Sequence, residues 1–440
     1  MKRDGCGKFG GIVGCAGTPL IQRRHALVAL SCALAEMTVH AQGKRDAFQA
    51  VAAPEPLAQI CAGGPAMSGA DLLGVGASGD LFALSLTGGS ARRLGGGLDP
   101  ATPLAVGHGR IAARRRDGAL WVLEGGRVSV SHERTLAPAA GLLVLPLAVI
   151  AIAVSADGKA HRVVRLEASS TGHWSEVARS GSDVTVLPDA RPMQADLDGS
   201  GDAGHVVVLA GPDSQRYTHG VLGDAIEATR VVLLERHSLR VMRELVLDSP
   251  YVFEDIAPRK VALGSAGRRE GLLTVLAGPQ GAQLVLVDAT PSVPGALRNA
   301  ARGPALGTAN RWLSPITDGR QWLAVHTPHI GGVLHIYRQD GEALSARRLQ
   351  GDVSNHRIGS RLLDISAWQG PRLLIPDQSG RRLLLLDPAL DPALDPASDW
   401  RVIGEHQLAS RVEALVSLSA SGQIAVLLND GSVSVGSVVG

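Results

Sequence analysis

The chain has 440 residues, and its 43 Lys plus Arg against 41 Asp plus Glu leave a formal net charge of +2. That balance gives no electrostatic case for nucleic acid or for an acidic partner, and an aromatic content of 3% argues against a stacking platform for bases or sugars. The length exceeds a usual single domain, but repeat folds add units around an axis, so a second domain is not required.

In chain order, residues 1–41 read as a leader and secretory signal peptide. The stretch RRHALVALSCALAEMTVHAQ, from Arg23 to Gln42, places a basic pair before an apolar run of about ten residues and a Val-His-Ala triplet suited to signal peptidase. A buried helix is the alternative. The run is too short for a stable membrane span, so a periplasmic or secreted protein is expected, cut after Ala41. Arg23-Arg24 fits a twin-arginine signal poorly, and Ala-Leu-Ser-Cys ending at Cys32 is an imperfect lipoprotein box. Cys6, Cys15 and Cys32 lie in the leader, which leaves Cys61 with no intramolecular disulfide partner.

Residues 42–62 are expected to supply a ring-closing strand, and residues 63–440 to form the folded repeat. Within them a strand, tight turn, strand pattern recurs: LLGVGASGDLFALSL, RIAARRRDGALWVLE, IAIAVSADGKAHRVVRL, LLTVLAGPQGAQLVLVD, WLAVHTPHIGGVLHIYR, LLIPDQSGRRLLLLD and IAVLLNDGSVSVGSV. Gly79, Gly118, Gly158, Gly281, Gly332, Gly380 and Gly431 stand where a hairpin turn needs positive φ. HVVVLAGP and ATRVVLLE form an eighth pair around a long insert. The hairpins fall roughly 40 to 60 residues apart, the size of a propeller blade. PLAVG, GLLVLPL, RWLSPIT, SRLLDIS and VEALVSLS precede them as inner strands; ARRLGG, MRELVL, SARRLQ and WRVIGE follow as outer ones. The expected fold is an all-β propeller of seven or eight four-stranded blades. The hairpin count favours eight, and joining the two chain ends in one blade would remove exposed sheet edges.

Two stretches resist the pattern. LDPALDPALDPAS, Leu386 to Ser398, has prolines that remove ladder donors, so it belongs in a loop between third and fourth strands. Arg114-Arg115-Arg116 alternates along a strand and reads as a solvated edge.

ADLDGSGDAGHVVVL, beginning at Ala195, raises the question of calcium, which takes six to eight oxygens. Asp196, Asp198 and Ser200 occupy the first ligand places, Asp202 adds a carboxylate nearby, and a last carboxylate is replaced by Gly204. Two carboxylates would hold a hard cation weakly, so the favoured reading is that Asp196, Asp198 and Asp202 cap turn amides. DLDGSG before a strand resembles the D-x-D-G-D-G-x-x-D loop of VCBS and FG-GAP repeats, which build integrin-like propellers. With RYTHGVLGDAIEA, VFEDIAPRK, ANRWLSPI, TPHIGGVLHIYR and SNHRIGSRLLDIS, the likeness to exported bacterial VCBS-repeat proteins runs from about Pro192 to Asp387. It implies a fold and an exported location, not a reaction.

In a propeller, loops between second and third strands share a face with loops between blades. That face is expected to collect Arg216, Tyr217, His219, Asp224, Glu227, Glu254, Asp255, Arg259, Asn310, Arg311, His329, Asn355, His356 and Arg357. Such a mixture suits a polar or anionic ligand gripped by guanidinium. His219, His329 and His356 with Asp224 or Glu254 would ligate a transition metal if they converge. The plainer reading is that these groups tie blades together. No G-x-S-x-G elbow, phosphate-binding loop or H-E-x-x-H pair is present. The favoured function is a non-catalytic, monomeric binding platform for a protein or envelope glycan. The alternatives are a hydrolase or lyase using one of the three histidines as base, and a purely structural repeat protein.

Overall fold

In a computed structural model, residues 48–63, 71–86, 89–197, 204–264, 269–289, 296–388, 400–418 and 421–438 are described. Residues 1–41, expected to be a leader and signal peptide, lie outside them. Among the described residues no helix is long and apolar enough to cross a membrane.

The chain is an all-β propeller. Its described strands form eight four-stranded antiparallel units. Unit 1 holds Leu57–Ala62, Leu72–Gly76, Leu81–Leu84 and Ala91–Gly95. Unit 2 holds Ala105–Gly107, Arg110–Arg114, Leu120–Glu124 and Arg127–Val130. Unit 3 holds Leu143–Val144, Ala148–Val154, His161–Ala168 and Trp174–Arg179. Unit 4 holds Met193–Ala195, His205–Asp213, Glu227–Glu235 and Val241–Val246. Unit 5 holds Arg259–Leu263, Arg269–Ala277, Gln283–Ala289 and Leu297–Arg302. Unit 6 holds Leu313–Thr317, Trp322–His326, Val333–Asp340 and Ala343–Gly351. Unit 7 holds Ala367–Gln369, Arg372–Pro376, Arg382–Asp387 and Arg401–Gln407.

Unit 8 joins the two ends of the chain. Val412–Leu418, Gln423–Leu428 and Val433–Gly436 are completed by Gln49–Val51, whose residues pair with Val433 to Val435. Residues 42–62 thus also contribute a second strand, Leu57–Ala62, to unit 1.

Stacking the units face to face buries second and third strands on both sides, which explains why these strands are continuous aliphatic runs without alternation. Leu72–Gly76 is buried throughout, as is all of Ala148–Val154 except its last residue. Fourth strands have one wet face, and Trp174–Arg179 accordingly alternates between covered and exposed positions.

The hairpin glycines do more than turn the chain. At Gly79 (φ 91°) an added Cβ would lie 2.4 Å from the Leu98 carbonyl oxygen, and at Gly118 (φ 85°) 2.6 Å from that of Arg134. The same glycines accept a hydrogen bond from the loop ahead: Leu98 N–H to the Gly79 carbonyl at 3.0 Å, Leu136 N–H to Gly118 at 3.0 Å. Each turn is therefore a socket for the next inter-unit loop. Gly332 departs from the expectation: positive φ falls on Gly331 (69°), and Gly332 is required instead because the Val353 carbonyl oxygen lies 1.9 Å from where a Cβ would be.

Two further expectations are corrected. SRLLDIS is not an inner strand; the first strand of unit 7 is Ala367–Gln369, and the residues before it form a long loop. Arg114 is not on a solvated edge. Its guanidinium bonds Asp99 (2.6 Å) and the Leu136 carbonyl (2.8 Å), tying the loops on either side of unit 2. The Asp-Pro tract begins inside the third strand of unit 7, which takes in Leu386 and Asp387, and its residues from 389 on lie outside the described residues.

Candidate functional site

The loop from Asp352 to Ser366 leaves the last strand of unit 6 and crosses toward three other parts of the ring before entering unit 7. Its stem is fixed by Val353 N–H to Gly332 O (3.1 Å) and Ser354 N–H to Pro376 O (3.0 Å). Asn355 donates to Ser314 Oγ and Asp364 Oδ1, both at 2.9 Å, and Ser314 Oγ donates to Leu363 O (3.0 Å), so the two limbs of the loop are clamped to unit 6. At its tip Gly359 N–H reaches Val221 O at 2.8 Å. Arg361 bridges Asp189 Oδ2 and Asp224 Oδ2, each at 2.7 Å, and Arg357 pairs with Glu413 of unit 8. This strap brings together side chains up to 172 residues apart.

The sequence-selected residues separate into two layers around it. Asn310, Arg311 and Arg357 are exposed, while Arg216, His219, Asp224, Arg259 and His329 are partly covered. Tyr217, Glu227, Glu254, Asp255, Asn355 and His356 are buried, at 7, 2, 0, 0, 0 and 2% exposure respectively. The expectation that all of them line an open rim is therefore corrected. Buried polar groups must find partners, and several do so for the fold. Arg259 bonds both oxygens of Asp255 (2.7 and 2.6 Å), and Thr274 Oγ1 donates to Asp255 Oδ2 (3.0 Å). Arg216 bonds Leu247 O (2.9 Å) and Asp213 (3.2 Å). The Tyr217 hydroxyl accepts from Asn310 N–H at 2.6 Å.

The three histidines do converge, but in two pairs. His219 Nδ1 lies 2.5 Å from Glu254 Oε1. Burial and the adjacent Asp255 push the Glu254 carboxyl well above its usual range, and burial lowers His219. Both shifts favour the uncharged forms of the two groups over an ion pair, and His219 is 20% exposed. In the second pair His356 Nε2 is 2.9 Å from the Ser360 carbonyl, an acceptor only, so Nε2 donates. His356 Nδ1 must then accept from His329 Nε2, also at 2.9 Å. Burial depresses His329 to about 4 and His356 to about 3, which keeps both neutral. Trp312 stacks on His329 with parallel rings 6.0 Å apart and donates Nε1–H to Glu254 O at 3.1 Å, joining the two pairs.

Glu227 completes the cluster. It opens the third strand of unit 4 rather than lying in a loop, and burial with Glu254, Asp224, Asp189 and Asp255 nearby raises it to about 10. Among the described residues no group of three or more His, Cys, Asp or Glu is arranged to hold a metal ion. His356 has both ring nitrogens engaged, so metal ligation would require breaking a bond the loop depends on.

The calcium question falls mostly outside the described residues, which include Asp196 but not Asp198, Ser200 or Asp202. Asp196 follows the first strand of unit 4. Its N–H donates to Glu270 Oε2 (2.6 Å) and its carbonyl accepts from Glu270 N–H (3.1 Å), linking units 4 and 5.

Sequence reasoning missed Asp189, Arg191 and Arg361. The signal was present in SNHRIGSRLLDIS, which contains Arg361, but reading its second half as a strand hid the residue that bridges the ring.

Among solved structures the chain is similar to BamB from Moraxella catarrhalis, at 12% identity over 88% of this chain and 99% of that one, TM-score 0.53. It is also similar to Sqt1 from Saccharomyces cerevisiae, at 9% identity over 89% of this chain and 98% of that one, TM-score 0.51. At such identities the likeness establishes the propeller fold and no ligand. No protein-family model matches the sequence, and no curated protein matches it. The VCBS and FG-GAP resemblance therefore rests on the quoted motifs alone.

Proposed function

We propose that the chain is an exported, non-catalytic binding platform that engages a protein through the strapped face of units 4 to 7. The observation that supports this reading is the pairing of exposed apolar side chains with a polar surround on that face. Ile330, 62% exposed, follows His329, and Ile358, 66% exposed, follows His356 by two residues; Leu362 is 37% exposed. Asn310, Arg311 and Arg357 are exposed in the neighbouring loops. An apolar centre inside a polar margin is the anatomy of a protein interface. A glycan is less well served, since Trp121, Trp174, Trp312, Trp322 and Trp400 are buried, which leaves Trp368 partly exposed.

The histidine chemistry weighs against catalysis as the alternative. A general base needs an accessible lone pair near neutral pH, whereas His356 has its acceptor nitrogen engaged, burial lowers His219 and His329, and His219 is tied to Glu254. The test is affinity capture from the native envelope with wild type, Ile330→Glu/Ile358→Glu and Leu147→Glu. Leu147, 74% exposed, lies in a turn between first and second strands on the opposite face. The expected result is a partner retained by wild type and Leu147→Glu but lost by the double variant; retention by the double variant overturns the reading.

The Asp196 loop is read as a capped turn. Accordingly, added calcium is expected to leave the melting temperature of wild type and Asp198→Ala unchanged. A calcium-dependent rise absent from Asp198→Ala would establish a metal site.

A further inference from the structure

The outer wall of the ring is closed differently from seam to seam. Between units 4 and 5, Glu244 of one fourth strand meets Ala296 just before the next, and between units 5 and 6 Arg302 meets Ala343 in the same way. At the matching place between units 2 and 3 no strand residues pair among the described residues. Two histidines meet there instead. His132, two residues beyond the fourth strand of unit 2, and His173, which directly precedes the fourth strand of unit 3, have ring centres 5.3 Å apart and planes 28° apart.

Both backbones are pinned. Ser131 donates its N–H to Leu120 O (2.9 Å) and its hydroxyl to Glu133 O (2.8 Å), which fixes the chain on either side of His132. The His173 carbonyl accepts Ser169 N–H (2.8 Å), and its N–H donates to Ser169 Oγ (3.2 Å), closing a turn. Two bonds then cross the seam beside the rings: Trp174 Nε1–H to Ser129 Oγ (3.0 Å) and Glu176 N–H to Glu133 Oε1 (3.4 Å). The histidines therefore stand on a preset frame, while their side chains are exposed and neither ring forms a hydrogen bond among the described residues.

The spacing distinguishes the uses of an imidazole pair. Rings in face contact sit as His326 and His335 do, 3.7 Å apart. Two imidazoles sharing one ion through bonds of about 2.1 Å place each ring centre about 3.2 Å from it, and a tetrahedral angle then separates the centres by about 5.2 Å. The observed separation matches the second case. Glu133, next in the chain, adds a carboxylate whose Oε2 has no hydrogen-bond partner, an acceptor left without a donor beside the pair. It is not placed as a third ligand, so water completes the coordination.

We infer that His132 and His173 together bind a divalent transition-metal ion of the zinc class, which clasps the outer wall of unit 2 to that of unit 3. Neutral imidazole suits zinc, copper and nickel, whereas calcium and magnesium take oxygen ligands. The site shares no residue with the strapped face and stands independently of the platform reading.

The experiment titrates zinc, with magnesium as the hard-cation control, into the metal-stripped full chain carrying no affinity tag, by calorimetry at neutral pH. Wild type is expected to take up one zinc. Losing one of two protein ligands is expected to weaken zinc at least about tenfold in His132→Gln and in His173→Gln, and the double variant should lose little beyond that. His108→Gln, at an exposed histidine elsewhere on the ring, should bind as wild type does. Zinc should also raise the melting temperature of wild type and of His108→Gln, each read against its own metal-free value, and not that of either pair variant. Location is read by hydrogen exchange, where zinc should slow Arg127–Val130 and Trp174–Arg179 in wild type and not in His173→Gln. Zinc affinity that survives either pair substitution within about twofold, or losses that add across all three histidines, would mean scattered surface coordination and overturn the inference. A magnesium effect equal to that of zinc would overturn it as well.

Discussion

Units 1 to 3 and units 4 to 6 use the same hairpin, but they differ in how the units are joined. Each of the first three is a separate four-stranded sheet, whereas the strands of units 4 to 6 run into one 13-stranded sheet. That sheet continues through Val252–Phe253, which pairs with both neighbouring units, and through the parallel Arg302 to Ala343 contact. The hairpin connection is short in unit 1, between Gly76 and Leu81, and long in unit 4, between Asp213 and Glu227. Ion pairs follow suit. Arg93 with Asp80 is a solvated pair, 59 and 30% exposed, and even the covered Arg114 with Asp99 is 11 and 15% exposed, while Asp255 and Asp189 in their pairs are 0 and 4% exposed. The difference teaches that extra loop length in this ring went into buried polar contacts between units, and that the same contacts concentrate titratable groups on one face.

The largest expected effect tests this contrast directly. Arg361→Ala leaves the buried Asp189 carboxylate without its cation and releases the strap from Asp224. Breaking a buried pair costs about 3–5 kcal/mol, and the one-third exposure of Arg361 places this case near the lower end, about 3 kcal/mol. Arg93→Ala, by contrast, is expected to leave the melting temperature unchanged. Similar shifts for the two variants would break the comparison.

A second measurement uses the pH dependence of stability. Glu227 titrates higher folded than unfolded, so between its ordinary range and about 10 the folded state holds the extra proton and stability falls as pH rises. His329 and His356, depressed to about 4 and 3, act oppositely, but only below the unfolded histidine range. From pH 7 to 9 the raised carboxyls, Glu227 with Glu254 beside it, therefore outweigh the histidines. Glu227→Gln should flatten the fall by up to about 1 kcal/mol per pH unit, measured by urea unfolding across that window. An unchanged slope would mean that Glu227 is not held protonated, and would remove the electrostatic distinction between the two halves of the ring.

Much of the architecture was legible because strand period and turn glycines are local signals. All eight hairpins occur as second and third strands of a unit, and the wet outer strands read correctly from MRELVL and SARRLQ. Gly332 was misread because a tight approach by Val353 and a positive φ leave the same residue in the sequence. The candidate site was legible in its membership and not in its depth. Glu254 and His356 look like surface loop residues, yet they are 0 and 2% exposed, with Trp312 bonded to the Glu254 carbonyl and set against the His356 ring. Arg361 bridging to Asp189 depends on a separation of 172 residues, which no local periodicity reports. Arg191 was invisible for the same reason, since the carbonyl its Nη2 donates to, that of Arg361, is 170 residues away.

The smallest effect sharpens the comparison at a single hydrogen bond. Among the described non-glycine residues with positive φ, Asn310, Thr327 and Asp352 all lie in the loops around the strap, at 60, 47 and 59°. A side chain in that region is strained, most of all a β-branched one such as Thr327. Asn310 is held there by the Tyr217 hydroxyl, which accepts its N–H, and burial pushes Tyr217 to about 12 so that the phenol stays protonated. Tyr217→Phe removes that acceptor and is expected to cost about 1 kcal/mol. Asn310→Gly relieves the φ penalty, so the hydroxyl then has less strain to hold in place. In the Asn310→Gly background the cost of Tyr217→Phe should fall by about 0.5 kcal/mol, a coupling that a double-mutant cycle resolves. Strict additivity would mean that the hydroxyl merely satisfies a loop amide, as bonds in units 1 to 3 do, and that the backbone strain around the strap is held by something else.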